Sequence, residues 1–320
     1  MNASNSIRVR VADAVAVTPS VRRLKLVPVS DSGLPEFSGG AHTIVELAGH
    51  ERTARNPYSL MGSPFDVSSY EISVLRVPNS RGGSAFIHER LQPGSELSIS
   101  TPVNLFPLDR RARKHIFIAG GIGITPFMAM MSQLTKECAN FELHYAMRSP
   151  QTGPYWQLLT SLYGPRVKTY FDSKGETIDL NALLDCQPLG THLYVCGPSG
   201  MIDWVLDSAR GYGWPDENLH CERFSAPEPG KAFTATLARS NLEVAVSESQ
   251  SLLEAIEAAG VAAPYLCRGG ACGQCETTVR SCAGAIEHHD HYLSEAEKAS
   301  GKKIMPCVSR TDGSPIVLDL

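Results

Sequence analysis

Apolar and polar positions alternate over short runs through the first third of the chain: Ile7, Val9 and Val11; Leu24 and Leu26; Val45 and Leu47; Leu97 and Ile99. Period-two alternation turns one face of each run toward a core and predicts half-buried strands, with the Pro-, Gly- and Ser-rich breaks as turns. Short strands at this spacing predict an antiparallel β-barrel over residues 1–110. One helical stretch interrupts them, Ser84–Leu91, with Ser84 placed to cap it. The pattern then changes. The run His115–Ala119 does not alternate, as expected of a strand covered on both faces of a parallel sheet. A glycine turn follows, with Thr125 as N-cap and Pro126 at the first helical position. Phe127, Met130, Met131 and Leu134 then recur at helical spacing. Strands at Phe141–Met147, Val167–Phe171 and His192–Cys196 alternate with helical stretches, which predicts a doubly wound α/β domain over 111–226. Residues 225–231 have linker composition. A third domain over 232–320 reads as strands Phe233–Ala238 and Leu242–Val246, a helix at Ser251–Ala259, a cysteine-rich loop and a last strand Ile316–Leu320. The fold class is therefore multidomain.

Composition narrows the function. With 320 residues, 42% apolar and 19% charged, the chain can fill two or three cores. A net charge of −4 implies no general attraction to nucleic acid. No apolar run follows Arg8 and Arg10, and the stretch His115–Met131 is too short and too glycine-interrupted to span a bilayer. A monomeric cytoplasmic protein without a membrane partner is expected.

Nine cysteines are too few for a disulfide scaffold, but they are unevenly placed. Cys267, Cys272 and Cys275 crowd into nine residues, and Cys307 follows 32 positions after Cys275. The spacing Cys-x4-Cys-x2-Cys with one distant cysteine matches a plant-type 2Fe–2S cluster. Gly269, Gly270 and Gly273 let the backbone wrap closely, so that N–H groups can point at the sulfurs. A zinc knuckle would instead show two equal Cys-x2-Cys pairs. Cys282 lies too close behind Cys275 to be the fourth ligand. His288, His289 and His291 with Asp290 have no Cys-x-His pairing and read as a polar turn.

Two further regions suit nucleotides. Gly120-Gly121-Ile122-Gly123-Ile124-Thr125-Pro126 joins a buried strand to a helix, where close backbone approach and a helix N-terminus favour phosphate. Cys196-Gly197-Pro198 ends a second parallel strand, so the two turns flank one crevice. In the barrel, Arg55-Asn56-Pro57-Tyr58-Ser59-Leu60 offers a cation, a ring and a hydroxyl. Arg81-Gly82-Gly83-Ser84 opens the barrel's helix and makes a monophosphate site.

Taken together, these segments resemble the phthalate dioxygenase reductase family within the ferredoxin–NADP reductase superfamily. The resemblance also draws on Glu222-Arg223-Phe224 and the closing Val317-Leu318-Asp319-Leu320, and it spans the whole chain. It implies a flavin barrel, a nucleotide domain and a C-terminal α+β β-grasp ferredoxin. It further implies FMN, NADH and a 2Fe–2S cluster, and a Rieske-type oxygenase partner that hydroxylates or demethylates a small aromatic acid. By the same resemblance Ser59 sits beside the reactive flavin nitrogen and Tyr58 packs on the flavin, with Leu60 next in the motif. Arg55, Arg81, Gly82, Gly83 and Ser84 hold its phosphate. Gly120, Gly121, Thr125, Cys196 and Gly197 line the nicotinamide nucleotide, Phe224 covers the ring face, and Glu222 lies near it. Cys267, Cys272, Cys275 and Cys307 ligate the cluster. Two features depart from the superfamily. Two residues, Asn56 and Pro57, separate the arginine from the tyrosine where one is usual. The strand ending Ala146-Met147-Arg148-Ser149 carries no acid for ribose hydroxyls.

Nicotinamide gives two electrons together and an iron–sulfur cluster takes one, so a flavin belongs between them. Plant-type clusters near about −400 mV lie at least roughly 250 mV below Rieske centres, so that step runs downhill by about 6 kcal/mol. The competing readings are an NAD(P)H-dependent reductase feeding a haem monooxygenase or another acceptor, and a non-catalytic redox sensor.

Overall fold

The computed structural model describes residues 6–47, 54–78, 81–224 and 227–320. The chain divides into two compact units, one from Met1–Pro78 and Gly83–Arg223, the other from Asn79–Gly82 and Phe224–Leu320.

The first unit begins with the alternating strands: β1 (Ser6–Thr18), β2 (Val21–Pro28), β3 (Ala41–Leu47), β4 (Ala54–Ser59), β5 (Tyr70–Leu75), β6 (Glu96–Ser100) and β7 (Val103–Asn104). Among the described residues they form one antiparallel sheet in the order β4-β3-β6-β1-β2-β5, with β7 on β3. Breaks of register in β1 between Val11 and Asp13 and between Ala16 and Thr18 let this long strand bend. The sheet curls shut where Met61, just past β4, donates its N–H to Glu71 of β5 at 2.9 Å. The inward positions, Val9, Val11, Leu24, Leu26, Val45, Leu47, Ile72 and Ile99, fill the barrel with Ile87 of helix α1 (Gly83–Arg90). The helix starts one residue earlier than the sequence suggested. Ser84 therefore lies inside it rather than at its cap, and its hydroxyl accepts the Val77 N–H at 3.2 Å.

The same unit continues with β8 (Lys114–Gly120), β9 (Phe141–Met147), β10 (Val167–Phe171), β11 (Thr191–Cys196) and β12 (Leu219–Glu222). These strands pair in parallel in the order β10-β9-β8-β11-β12. Helices α2 (Thr125–Lys136), α3 (Trp156–Tyr163), α4 (Leu180–Leu184) and α5 (Ser199–Gly211) connect them. The missing alternation in β8 now has its cause. Phe117 and Ala119 pack on one side with Phe127 and Met130 of α2, while Ile116 and Ile118 pack on the other with Ile202 and Val205 of α5. Thr125 is not the N-cap. A 3-10 turn over Gly121–Ile124 runs directly into α2, and the Thr125 hydroxyl donates back to the Ile122 carbonyl at 3.1 Å. The barrel and this sheet are tied within the unit by Gly39 N–H to Gln133 Oε1 at 2.8 Å and by Ser73 Oγ to the Tyr155 hydroxyl at 2.5 Å.

The second unit holds β13 (Phe233–Leu237), β14 (Leu242–Val246), helix α6 (Leu252–Ala258), β15 (Thr277–Cys282), β16 (Ile286–Glu287), helix α7 (Glu295–Ser300), β17 (Lys303–Ile304), β18 (Arg310–Thr311) and β19 (Ile316–Leu318). Its main sheet runs β14-β13-β19-β15-β17, with β13 and β19 parallel, and β16 pairs with β18. Helix α6 lays Leu252 and Ile256 on Phe233, Leu237 and Ile316, as in a β-grasp. Ser251 caps it in a capping box with Glu254. The far end of the linker expected over 225–231 is tied down. Ser225 and Ala226 lie outside the described residues, whereas Gly230 donates to the Glu248 carbonyl at 3.0 Å and buried Arg310 donates to the Lys231 carbonyl at 2.8 Å. Among the described residues no helix is long and apolar enough to cross a membrane.

Candidate functional site

In the parallel sheet the strand order reverses direction between β8 and β11, the place where open α/β sheets bind ligands at the carboxyl ends of their strands. Gly120 ends β8 and Cys196 ends β11. The two turns touch: a methyl on Gly197 would stand 3.0 Å from the Gly120 Cα, and one on Gly123 would overlap the Cys196 carbonyl. Gly120, Gly121, Thr125, Cys196 and Gly197 are thus brought to one sheet edge. Glu222 joins them, since β12 runs parallel to β11 with Glu222 in register with Cys196. Burial, and then the neighbouring Glu222 charge, push the Cys196 thiol well above its usual range. Glu222 as a residue is only half-buried, yet its Oε2 is out of solvent and has no hydrogen-bond partner among the described residues. Burial raises its carboxyl to about 8, so near neutral pH it presents a proton to donate. Phe224 is exposed and belongs to the second unit.

In the barrel, β3 and β4 pair with His42 opposite Ser59, Thr43 opposite Tyr58, Val45 opposite Asn56 and Glu46 opposite Arg55. Ser59 and His42 are buried cross-strand neighbours, and among the described residues neither Ser59 Oγ nor either His42 ring nitrogen has a hydrogen-bond partner. Burial lowers the imidazole to about 4, leaving a neutral ring with one N–H. Burial pushes the Tyr58 phenol up to about 12, and Asn56 Nδ2 donates to its oxygen at 3.4 Å. Arg55 Nε donates to Glu46 Oε2 at 3.1 Å. Leu60 packs in the barrel core. Gly83 and Ser84 open α1, whereas Arg81 and Gly82 fall in the second unit, where Arg81 Nη1 donates to Glu254 Oε2 at 2.6 Å. Buried polar atoms in proteins are nearly always hydrogen-bonded. Ser59, His42 and Glu222 therefore fit a polar-edged partner that the described residues do not supply, as a flavin and a nicotinamide would be. Sequence reading missed His42; its only signal is a single titratable ring inside the otherwise buried strand Ala41–Leu47.

The second unit places the four spaced cysteines as two pairs. All four are free thiols; that of Cys267 hydrogen-bonds with Cys272, and that of Cys275 with Cys307. The Cys267 thiol is held down to about 5, first by the Cys272 contact and then by the N–H groups of Gly269, Ala271 and Cys272, while Cys272 is driven up by the same contact. Cys275 is lowered by Cys307, which is itself raised. The Gly269 N–H lies 3.4 Å from Cys267 Sγ. Among the described residues no three His, Cys, Asp or Glu side chains gather on a single ion. Two thiol pairs, three thiols from the loop and one from Cys307, suit two irons with two thiolates each. Arg268 takes a left-handed φ of 54°, and a buried ion pair with Glu257 and a seat over the Tyr265 ring at 3.9 Å hold it there. Cys282 packs against the sheet core instead. The histidine cluster is a polar turn: buried Asp290 accepts from the Leu293 N–H at 2.9 Å and from Ser309 Oγ at 3.2 Å.

Residues 100–219 match the family model of the dimethylamine monooxygenase subunit DmmA-like N-terminal domain, and residues 235–312 match the 2Fe-2S iron-sulfur cluster binding domain. The chain is 45% identical to the carnitine monooxygenase reductase subunit of Acinetobacter baumannii, over 95% of each chain. It is 44% identical to the heme-dependent oxidative N-demethylase beta subunit of Ectopseudomonas mendocina, over 99% of this chain and all of that one. It is also 36% identical to the vanillate O-demethylase oxidoreductase of Acinetobacter baylyi. Among solved structures, phthalate dioxygenase reductase superposes with a TM-score of 0.90 at 33% identity, covering 99% of this chain and 98% of that one.

Proposed function

Because the chain belongs to the phthalate dioxygenase reductase family, as an NADH-dependent flavin iron–sulfur oxidoreductase that serves an oxygenase, we propose that its electron acceptor is a Rieske-type oxygenase component acting on a small acid. The observation that carries this reading is the near full-length match to reductase subunits of oxygenases, joined to the match of residues 235–312 to a 2Fe-2S cluster binding domain. The relatives' names span an aromatic acid, vanillate, and an aliphatic one, carnitine, which suits a reductase that never touches the organic substrate.

The division of labour we propose follows the three segments 1–110, 111–226 and 232–320. Bound flavin and cluster supply hydride acceptance and single-electron delivery. In the first segment Ser59 and the neutral His42 donate to the polar edge of the flavin, Tyr58 packs along it, and the backbone at Gly83 and Ser84 receives its phosphate. Arg55 and Arg81 are left out of the phosphate cradle, since both guanidinium groups are already paired with carboxylates. In the second segment the Gly120–Thr125 turn and Gly197 receive the nucleotide. Cys196 packs against the nicotinamide with no charge of its own, and protonated Glu222 donates to its carboxamide. Phe224 covers the ring face. In the third segment Cys267 with Cys272 holds one iron and Cys275 with Cys307 the other.

The test is anaerobic stopped-flow mixing of the NADH-reduced protein with a Rieske-type oxygenase and, separately, with a haem oxygenase. Rapid bleaching of the Rieske spectrum with slow haem reduction is expected. A haem acceptor is the second reading, favoured by the relative named as part of a heme-dependent N-demethylase, and the opposite ranking of rates would establish it. A redox sensor would oxidise no NADH at all.

A further inference from the structure

We propose that Asn56, and not Arg55, is the side chain of β4 that holds the flavin phosphate; the proposal rests on the FMN reading above. Side chains alternate along a strand, so 56 and 58 share one face and 55 and 57 the other. The structure shows the consequence. Asn56 Nδ2 reaches the Tyr58 hydroxyl at 3.4 Å, whereas Arg55 meets its cross-strand partner Glu46 at 3.1 Å. With side chains 23% and 26% exposed, this pair is largely shielded, and the arginine's charge is already matched.

Asn56 also abuts the start of α1. A methyl group on Gly83 would overlap Asn56 Nδ2, and the next atom it would meet is Leu47 Cδ1 at 3.5 Å. The amide therefore lies against the first residue of an eight-residue helix. The N–H groups of a first helical turn lack intrahelical acceptors and carry the positive end of the helix dipole. A phosphate placed there accepts from the backbone on one side and from Asn56 Nδ2 on the other. Glycine at position 83 is what allows the two donors to come this close. The motif spacing explains how the arginine was displaced. One extra residue ahead of Tyr58 moves the arginine from the tyrosine's face to the opposite one, because a shift of one residue along a strand exchanges its faces.

The experiment titrates full-length apoflavoprotein with FMN, and separately with riboflavin, following quenching of flavin fluorescence. Asn56→Asp sets a carboxylate against the phosphate. It is expected to raise the Kd for FMN at least about tenfold while leaving riboflavin within about twofold, in line with the loss of a hydrogen bond to a charged group. Asn56→Ser should weaken FMN by a smaller factor in the same pattern, and it carries the test if the aspartate variant does not fold by circular dichroism. Arg55→Gln should leave the FMN Kd within about twofold. A tenfold loss of FMN in Arg55→Gln with tight binding in both Asn56 variants would overturn the proposal. Equal weakening of FMN and riboflavin by Asn56→Asp would also overturn it. Failure of the wild-type protein to bind FMN would instead sink the cofactor reading on which it stands.

Discussion

At the residue scale, the functional groups divide into those whose chemistry is written in their type and those whose chemistry is made by their surroundings. A glutamate at position 222 is ordinary in sequence; only the shielding of its Oε2 lifts its carboxyl to about 8. That shift has a sign that can be checked. Between the usual value of 4.5 and about 8 the folded protein holds a proton that the unfolded chain releases. The contribution to stability is complete below pH 4.5 and is lost as pH rises through 8. Glu222→Gln cannot titrate. Urea midpoints at pH 5 and pH 9 should therefore fall further for the wild type than for the variant, by on the order of a few kcal/mol after conversion. Parallel profiles would show that the carboxyl is not buried in solution. Ser84 and Thr125 teach the converse. Both are residue types that cap helices, and both sit inside theirs, because a neighbouring backbone group, the Val77 N–H or the Ile122 carbonyl, claims the hydroxyl.

At the element scale, the strands were legible because the period of burial shows directly in the hydrophobic pattern. The alternating β2 and the non-alternating β8 report one covered face and two. The cysteine loop was legible for a different reason: ligand count and spacing are covalent properties of the chain. The contacts of the Cys267 thiol with that of Cys272, and of the Cys275 thiol with that of Cys307, come from the fold. Cys272→Ser should abolish the visible absorbance of the cluster and leave reduction of the flavin by NADH intact, because the loop lies wholly in the second unit. Cys282→Ser should retain the cluster, since that thiol packs on the sheet core. Loss of the cluster in Cys282→Ser with retention in Cys307→Ser would reverse the ligand assignment.

At the scale of the whole molecule, the chain divides into two units, and the four spaced cysteines all lie in the second. Ser59, Cys196 and Glu222 all precede Phe224, and the four paired cysteines all follow it. A protein truncated after Pro229 should still oxidise NADH with ferricyanide as acceptor and should fail to reduce its oxygenase at a useful rate. Equal oxygenase turnover by the truncated and intact chains would remove the cluster from the electron path. The sequence by itself determined the strand and helix periods, the order of the segments, the thiol spacing and the two glycine turns. Each of these depends on contacts within a few residues or on the chain's covalent order. Only the tertiary structure decided that Arg55 pairs with Glu46 while Asn56 faces Tyr58, that His42 lies beside Ser59, that Glu222 stands in register with Cys196, and that Arg310 pins the end of the linker. Those relations join residues of different strands and loops. Which atoms are shielded from water, and which carboxylate meets which guanidinium, is set by strand register and packing, and neither is a property of any one segment.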